Sequence, residues 1–292
     1  MKKLFLLFFI FFLAINCYGM DHDDYELFTR TNSPNYQVTK LRIVNHPELR
    51  TLKQLQHFPN LKRFSIQDCP NVKGLERSLT SYGMSLRRLT LCRMGLVNLS
   101  FLTAFSGLES LNLTANYDIT SISPLLTLSR LRILHLMSCT SIKDISPLSD
   151  MTKLKRLGLA SVLIQYPPRN PSLPQSIHFL EPLASSLEYL DLSCNDLLTL
   201  SPLEKFHKLR FLDLNGSCDN GKKWEGLESL KNLQYLNLGN AQYRMKSFKF
   251  LETLPNLKRV YVQEEELIPK FKKRSGLRIG SHIHMYKSRY MI

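Results

Sequence analysis

The sequence lacks the short motifs by which catalytic and metal sites are usually recognised. It has no phosphate-cradling glycine loop, no His-Glu-x-x-His zinc motif and no Cys-x-x-Cys pair. Its eight histidines are scattered, and the close pair His282 and His284 has no acidic or thiol residue beside it to complete a metal site. We therefore expect a protein that is not an enzyme and that holds neither a metal nor another cofactor.

Apolar runs long enough to cross a bilayer are also missing. The longest run, residues 4–15, falls short of the ~20 residues that a spanning helix needs. Lys2 and Lys3 precede this run and Gly19 follows it, an arrangement typical of a secretory signal peptide. We expect residues 1–19 to be removed, and the mature protein to be exported to the periplasm or the extracellular space without a membrane-spanning segment.

Cysteine is scarce, with six residues in the chain. Cys17 leaves open a bacterial lipoprotein in which it becomes the lipidated first residue, although Ala14 and Asn16 depart from the usual lipoprotein box. Removal of Cys17 leaves an odd number, although export would permit disulfides. We expect the others to have local structural roles. They are Cys69, Cys92, Cys139, Cys194 and Cys218.

Acidic residues are outnumbered, with 24 Asp and Glu against 39 Lys and Arg, a net charge of +15. The excess is uneven. Residues 38–93 have 11 basic against 3 acidic side chains, residues 257–292 have 9 against 3, and the middle of the chain is nearly balanced. The basic character therefore belongs to the two ends, where it bears on the choice of partner and not on the fold.

What the chain does contain is one pattern repeated about ten times. The pattern is L-x-x-L-x-L-x-x-N/C, and residues 187–195, LEYLDLSCN, are one copy of it. Successive copies are 22–25 residues apart, except for one spacing of 33. The first apolar position of each copy is Val38, Leu61, Leu86, Leu108, Leu131, Leu154, Leu187, Leu209, Leu233 and Leu257. A fixed period of this size predicts a solenoid whose units stack on one another.

The copies resemble the leucine-rich repeat family, and the wording IKDISPL at residues 142–148 is similar to its internalin-type and phosphatase-regulator-type subclass. The resemblance implies an α/β solenoid, a horseshoe with about ten short parallel strands on its concave face and short 3₁₀ or helical turns on its convex face. Within each copy, positions four and six would face the core and positions three and five the concave face. Ser-Pro-Leu steps, as at Ser146, predict the start of a return helix, with serine as its cap.

The pattern also predicts how the chain is divided. We expect an N-terminal cap at residues 20–37, the repeat domain at 38–263, and a C-terminal cap with a basic tail at 264–292. The one long spacing is due to a proline-rich insertion at about 165–176, in which four prolines exclude regular helix. Such an insertion is a surface loop, which leaves open whether it binds a partner or is only tolerated decoration.

The late part of the concave face is expected to be a docking surface for a protein. Tyr189, Phe211 and Tyr235 would form an exposed column of rings that anchors the partner, and Asp191 and Asp213 would orient a basic group on it. Further candidates on this face are Ile133, His135, Asn237, Arg259 and Tyr261. The alternative is purely structural, since aromatic pairs on neighbouring strands stabilise a sheet by themselves.

The early part of the array supports a different partner. Its cations are Lys40, Arg42, Lys62, Arg63, Arg87 and Arg88. They are suited to a polyanion such as a sulfated glycan or an anionic membrane surface, because arginine binds phosphate and sulfate with two hydrogen bonds. Nucleic acid is disfavoured, because no aromatic residues alternate with the cations to stack on bases. A merely solvated charged face remains the alternative.

The family resemblance also implies a function. Leucine-rich repeat proteins mostly serve recognition, and secreted bacterial members include adhesins and host-directed effectors. We therefore expect a secreted, non-enzymatic scaffold that binds a protein partner on its concave face, the alternative being a polyanion, glycan or membrane-surface binder that uses the basic ends.

Overall fold

A computed structural model describes residues 23–81, 85–163, 176–195, 197, 199–217, 225–239, 249–262 and 277–280. The predicted signal peptide, nearly all of the proline-rich insertion, and the basic tail apart from residues 277–280 lie outside these residues. Among the described residues, no helix combines the length and apolar character needed to span a membrane.

Eleven short strands in the described part of the chain form one parallel sheet, in which each strand pairs with the next along the sequence. The strands are β1 (Lys40–Val44), β2 (Arg63–Gln67), β3 (Arg88–Cys92), β4 (Ser110–Asn112), β5 (Ile133–His135), β6 (Arg156–Gly158), β7 (Tyr189–Asp191), β8 (Phe211–Asp213), β9 (Tyr235–Asn237), β10 (Arg259–Tyr261) and β11 (Arg278–Gly280). Each predicted copy supplies one of β1 to β10, which confirms the solenoid. β11 extends the sheet beyond the last copy.

The strands place equivalent positions of the repeats side by side. In β5, Leu134 at position four is fully buried, as is Leu136 at position six just beyond the strand, whereas Ile133 and His135 at positions three and five are partly exposed on the opposite face. The register pairs like with like, as in Tyr189 opposite Phe211. Positions three and five therefore form columns on the face that we call the concave face.

Each of the strands β1 to β8 is followed by a residue with a positive φ angle. This residue is position eight of the repeat, and it is glycine only once. The residues are Asn45, Asp68, Arg93, Ala115, Ser138, Ser161, Cys194 and Gly216, with φ between 51° and 66°. Their N–H groups donate to the next repeat, as from Asn45 to the Gln67 carbonyl at 3.0 Å. The shared hydrogen bonding holds a conformation that L-residues otherwise adopt rarely.

The ninth position turns inward and satisfies the backbone of the turns. Asn116 Oδ1 accepts from the N–H groups of Met94 and Leu96, at 3.0 and 3.1 Å, and its Nδ2 donates to the carbonyls of Leu91 and Leu113, both at 2.7 Å. Asn195 makes an equivalent set of four bonds in a later repeat.

Cysteine occupies the same position in two repeats. The Cys139 thiol donates to the Leu113 carbonyl at 3.2 Å, and the Cys69 thiol to the Gln67 carbonyl at 3.2 Å. Burial raises the pKa of Cys139 to about 12 and that of Cys69 to about 11, so both remain thiols at neutral pH. These two cysteines therefore have the structural role expected of them.

The return legs are short helices. Helix α2 (Leu75–Ser81) is the one α-helical return leg among the described residues, and the other legs are 3₁₀-helices. They are Lys53–His57, Ser100–Ala104, Ser123–Thr127, Ser146–Asp150, His178–Leu183, Ser201–Lys205, Leu227–Ser229 and Lys249–Thr253. The expected serine caps are wrong in detail. Ser146 is the first helical residue and Ile145 is the N-cap, while the Ser146 N–H donates to Asp144 Oδ1 at 2.9 Å.

The N-terminal segment covers the open end of the core. Helix α1 (Tyr25–Arg30) buries Phe28 completely, and the Phe28 ring lies 6.3 Å from that of Phe58. Asp24 pairs with the edge of β1, because its N–H donates to the Arg42 carbonyl at 2.7 Å and its carboxylate accepts from the Arg42 N–H at 2.8 Å. These bonds occupy backbone groups of the first strand that would otherwise lack a partner.

Candidate partner-binding face

Three cations lie side by side on the early part of the concave face. Lys40, Arg63 and Arg88 are at position three of β1, β2 and β3, and the strand register aligns them. Lys40 and Arg63 are exposed and Arg88 is partly exposed. Because neighbouring strands are ~4.8 Å apart, these side chains form a continuous line, which we call the cationic row. The hydroxyl groups of Ser65 and Thr90 flank it at position five.

The other three predicted cations do not belong to the row. Arg42 is only 7% exposed, so the expectation that it lies on an open surface is wrong. Lys62 and Arg87 are at position two, before the strands begin. Lys62 Nζ donates to the Ser85 hydroxyl at 2.5 Å. Arg87 forms an ion pair with Glu109 at 2.8 Å, which offsets its charge.

The middle of the concave face is uncharged. Position three is Ser110 in β4 and Ile133 in β5, both partly exposed. His135 lies beside Ile133, and its Nδ1 is buried without a hydrogen-bond partner. Burial, followed by the charge of Arg156, lowers the pKa of His135 to about 4, so the ring is neutral at physiological pH.

Gly158 on β6 leaves room for the His135 ring. The two residues are paired in the strand register, and a Cβ at Gly158 would lie 2.6 Å from His135 Nδ1. Any side chain at this position would have to displace the imidazole. On the same strand, Arg156 restores positive charge to position three, and its guanidinium carbon lies 5.1 Å from the centre of the Tyr189 ring.

The predicted column of rings is present, but most of it is buried. Tyr189 and Phe211 stack with their centres 4.2 Å apart and their planes 8° from parallel, and Tyr235 follows at 6.4 Å from Phe211. Tyr189, Phe211 and Tyr261 are each 7% exposed, and only Tyr235 is partly exposed. The expectation of an exposed column is therefore wrong for Tyr189 and Phe211, and the expectation that Tyr261, at position five, is accessible on this face is also wrong. Together with Tyr235, they form a small second core that is separate from the main one.

The carboxylates beside the rings are turned to the backbone. Asp191 is fully buried, and its Oδ1 accepts from the N–H and the hydroxyl of Ser193 at 2.9 and 2.7 Å. Asp213, which is 1% exposed, accepts from the Asn215 N–H and from Asn237 Nδ2, both at 2.9 Å. The expectation that these two carboxylates are open to a partner is wrong, because each one caps the turn that follows its own strand.

The same turn recurs at position five and could have been recognised from the sequence. Asn112 accepts from the Thr114 N–H at 3.0 Å, and Asn237, which is fully buried, accepts from the Gly239 N–H at 3.0 Å. In each case Asp or Asn precedes leucine and a small or polar residue, the local pattern of an Asx turn. Asn237 is thus a structural residue. Arg259 remains partly exposed, with its guanidinium carbon 5.7 Å from the centre of the Tyr235 ring.

Two arrangements that would support metal binding or catalysis are absent from the described residues. Among them, no group of three or more His, Cys, Asp or Glu side chains is placed to hold a metal ion. His135 is on the concave face, whereas the Cys139 thiol points into the core toward Leu113, so these two do not form a nucleophile and base.

Comparisons with known proteins give structural neighbours only. No model of a known protein family matches the chain, and no curated protein is significantly similar to it in sequence. An internalin (inlF) from Listeria monocytogenes str. 4b F2365 is 17% identical over 84% of this chain and 87% of its own, with a TM-score of 0.49. Internalin C2 (inlC2) of the same strain is 23% identical over 77% and 80%, with a TM-score of 0.39.

A third neighbour is more similar in structure. TLR13, in a complex with ssRNA13, is 20% identical over 78% of this chain, with a TM-score of 0.59, and the match spans 33% of the TLR13 chain. At this identity the likeness concerns the fold alone. With one parallel strand for each predicted copy and short 3₁₀ return legs, the chain has the fold of a leucine-rich repeat protein.

Proposed function

We propose that this protein is a secreted, non-enzymatic scaffold that recognises a protein partner through the early and middle parts of its concave face. The cationic row is the observation that carries the proposal. Lys40, Arg63 and Arg88 project from three adjacent strands onto one face. The later part of the same face is filled by its own rings and turn caps, so it has less surface to offer a partner.

Charge supports an acidic partner surface. Within the described part of the chain, neither Arg63 nor Arg88 forms an ion pair, so each guanidinium has donors for a carboxylate. Ser65 and Thr90 beside them add hydroxyl groups that donate to the same acceptors. Complementary charge of this kind selects partners and accelerates association more than it adds affinity.

Export rests on the sequence of residues 1–19. Lys2 and Lys3, the apolar run and Gly19 support a signal peptide that directs the chain out of the cell. Mass spectrometry of the protein recovered from the medium or the periplasm tests this point. A mature chain that begins at Met20 is the expected result, whereas a chain that retains residues 1–19 in the cytoplasm would contradict secretion.

Binding is tested with a displayed peptide library, selected on the wild type. The selected peptides are expected to be acidic and to bind at least about tenfold more weakly to Arg63→Glu/Arg88→Glu. The matched control is Lys53→Glu/Arg77→Glu, which makes the same change of charge on exposed return-leg residues of the first and second repeats. If the selected peptides bind Lys53→Glu/Arg77→Glu more weakly but bind Arg63→Glu/Arg88→Glu as well as the wild type, recognition is on the convex face and the proposal is refuted.

A polyanion is the second candidate, since the cationic row suits sulfate or phosphate as well as carboxylate. TLR13 was solved with an RNA, although its likeness to this chain concerns the fold alone. Arg42 is buried and Arg87 is paired with Glu109, so fewer cations face a ligand than the sequence suggested. This smaller charge favours a protein partner over a dense polyanion. Heparin and a single-stranded oligonucleotide are the probes. Tight binding of either that falls steeply with salt, while selected peptides bind weakly, would favour this second function.

A further inference from the structure

Positive charge on the concave face is interrupted and then resumes. After Arg88 on β3, position three is Ser110 on β4 and Ile133 on β5, and the next cation is Arg156 on β6. Arg88 and Arg156 are both partly exposed, and neither forms an ion pair within the described part of the chain. Two open cations therefore flank a short uncharged interval.

The uncharged interval between Arg88 and Arg156 contains apolar side chains of the β5 repeat. Ile133 is a partly exposed aliphatic side chain, and Met137, two residues beyond β5, is 3% exposed. His135 between them is neutral, because the burial of its Nδ1 and then the nearby charge of Arg156 lower the pKa of the imidazole to about 4. An apolar side chain placed here would be removed from water without burying an unpaired charge.

The spacing matches that of an extended polypeptide lying across the strands. Arg88 and Arg156 are three strand steps apart, which is about 14 Å. An extended chain advances about 3.4 Å per residue and presents every second side chain to the same side. Its residues i and i+4 are therefore about 13.6 Å apart, and residue i+2 falls between Ser110 and Ile133.

We propose that the concave face recognises an extended acidic–x–apolar–x–acidic segment of a partner protein, with one acidic residue on Arg88, the apolar residue against Ile133 and the other acidic residue on Arg156. This inference rests on the proposed function and specifies the partner's chemistry. The Tyr189 ring holds the guanidinium of Arg156 by a cation–π contact at 5.1 Å, which reduces the side-chain entropy lost on binding. The cationic row extends the same surface toward β1 for further acidic residues.

Three labelled peptides test the order of residues. One has the core Glu-Ser-Leu-Ser-Glu, the second is its isomer Glu-Glu-Ser-Ser-Leu, and the third is Glu-Ser-Ser-Ser-Glu, which lacks the apolar residue. Fluorescence anisotropy is expected to give an affinity about tenfold higher for the first peptide than for either of the others. Equal affinity for the first two peptides would overturn the proposed segment, because they have the same charge and composition.

Protein variants assign the contacts. Arg88→Gln and Arg156→Gln are each expected to weaken binding of the first peptide about tenfold, and Arg156→Lys is expected to restore part of it. Ile133→Ser should abolish the preference for leucine over serine and leave the third peptide unaffected. Arg132→Gln, which removes an exposed charge at position two of the same repeat, is the control. Thermal unfolding of each variant separates loss of a contact from loss of the fold.

The results also separate this inference from the proposed function. If all three peptides bind alike and the Arg63→Glu/Arg88→Glu variant weakens all of them, the segment is wrong but the concave face still binds acidic partners. If Arg132→Gln weakens binding as much as Arg88→Gln does, the contact is not on the concave face and both proposals fail.

Discussion

The imidazole of His46 connects the N-terminal segment to the first repeat, with its Nε2 2.5 Å from the carboxylate of Asp23. Its Nδ1 lies 2.7 Å from Glu48 Oε1, and the Tyr25 ring stacks on it with the ring centres 3.6 Å apart. Only the imidazolium form donates from both nitrogens at once. Burial lowers the pKa of His46, but the hydrogen bonds to Asp23 and Glu48 outweigh it and raise the pKa above its usual value.

This contact predicts a stability that depends on pH. Because the pKa of His46 is higher in the folded protein than in the unfolded chain, its protonation stabilises the fold. This stabilisation is complete below the unfolded-state pKa of about 6.5 and is lost as the pH rises through the folded-state pKa. The pKa of Glu48 is lowered, first by its own backbone N–H and then by His46, so its contribution is lost as pH falls through that lower value. The contact therefore stabilises most between about pH 5 and 6.5.

Replacement of His46 by glutamine tests the effect. We expect His46→Gln to lower the free energy of unfolding by about 1 kcal/mol at pH 6, and by much less at pH 8.5. Urea unfolding across this range measures the difference, and hydrogen exchange of the α1 amides reports whether the N-terminal segment is released first. His207→Gln, at an exposed histidine, is the control and should give a difference that is small and independent of pH. A constant difference for His46→Gln would disprove the ionic contact.

Gly158 should not tolerate a methyl group. The added Cβ of Gly158→Ala would lie 2.6 Å from His135 Nδ1, so the imidazole would have to move, at a cost of about 1–3 kcal/mol. In Gly107→Ala the nearest atom, the Leu86 carbonyl oxygen, would be 3.7 Å away, so this control should be nearly neutral. Thermal unfolding measures both. His135→Ala should remove most of the cost in the double variant, and strictly additive losses would show that the two residues do not interfere.

The repeat predicts the fold well, because its period is set by the stacking of identical units. Alternation within each copy also identifies the side of the sheet, and Tyr189, Phe211 and Tyr235 do form one column on the concave face. The alternation of apolar and polar positions does not predict how exposed each concave-face side chain is. Rings one strand apart cover one another, and Asp191 and Asp213 find hydrogen-bond donors two residues along the chain. The direction of a side chain was therefore predictable, whereas its accessibility depended on its neighbours.

Contacts between distant segments could not be predicted from the pattern. His46 meets Asp23 because the segment before the first repeat folds back over β1, and the repeat template says nothing about that segment. In the same way, β11 lies beyond the last predicted copy and pairs in parallel with β10. Backbone pairing depends weakly on side-chain identity, so no leucine pattern marks it.

Asn116 should be among the most sensitive positions in the core. Asn116→Ala removes two N–H donors and the one oxygen that accepts two hydrogen bonds. It leaves four buried backbone groups without that partner, which we expect to cost about 4 kcal/mol. Asn116→Cys should cost less, because Cys139 shows that a thiol at the ninth position donates to a carbonyl. Asn116→Asp keeps the acceptor and loses both donors. Unfolding midpoints in urea rank the three variants, and equal stability of the alanine and cysteine variants would contradict the role given to the thiol.

Phe211 provides the test of whether the column of rings is structural. Its ring is 7% exposed and stacks on Tyr189 at 4.2 Å, so Phe211→Ala should lower the free energy of unfolding by about 3 kcal/mol. Phe211→Leu keeps most of the apolar volume and should cost less. Arg63→Gln, on the open part of the same face, should change stability by no more than about 0.5 kcal/mol while weakening the binding of acidic peptides. The opposite result, with Phe211→Ala fully stable but deficient in binding, would restore the rings as the docking surface and leave the cationic row as solvated charge.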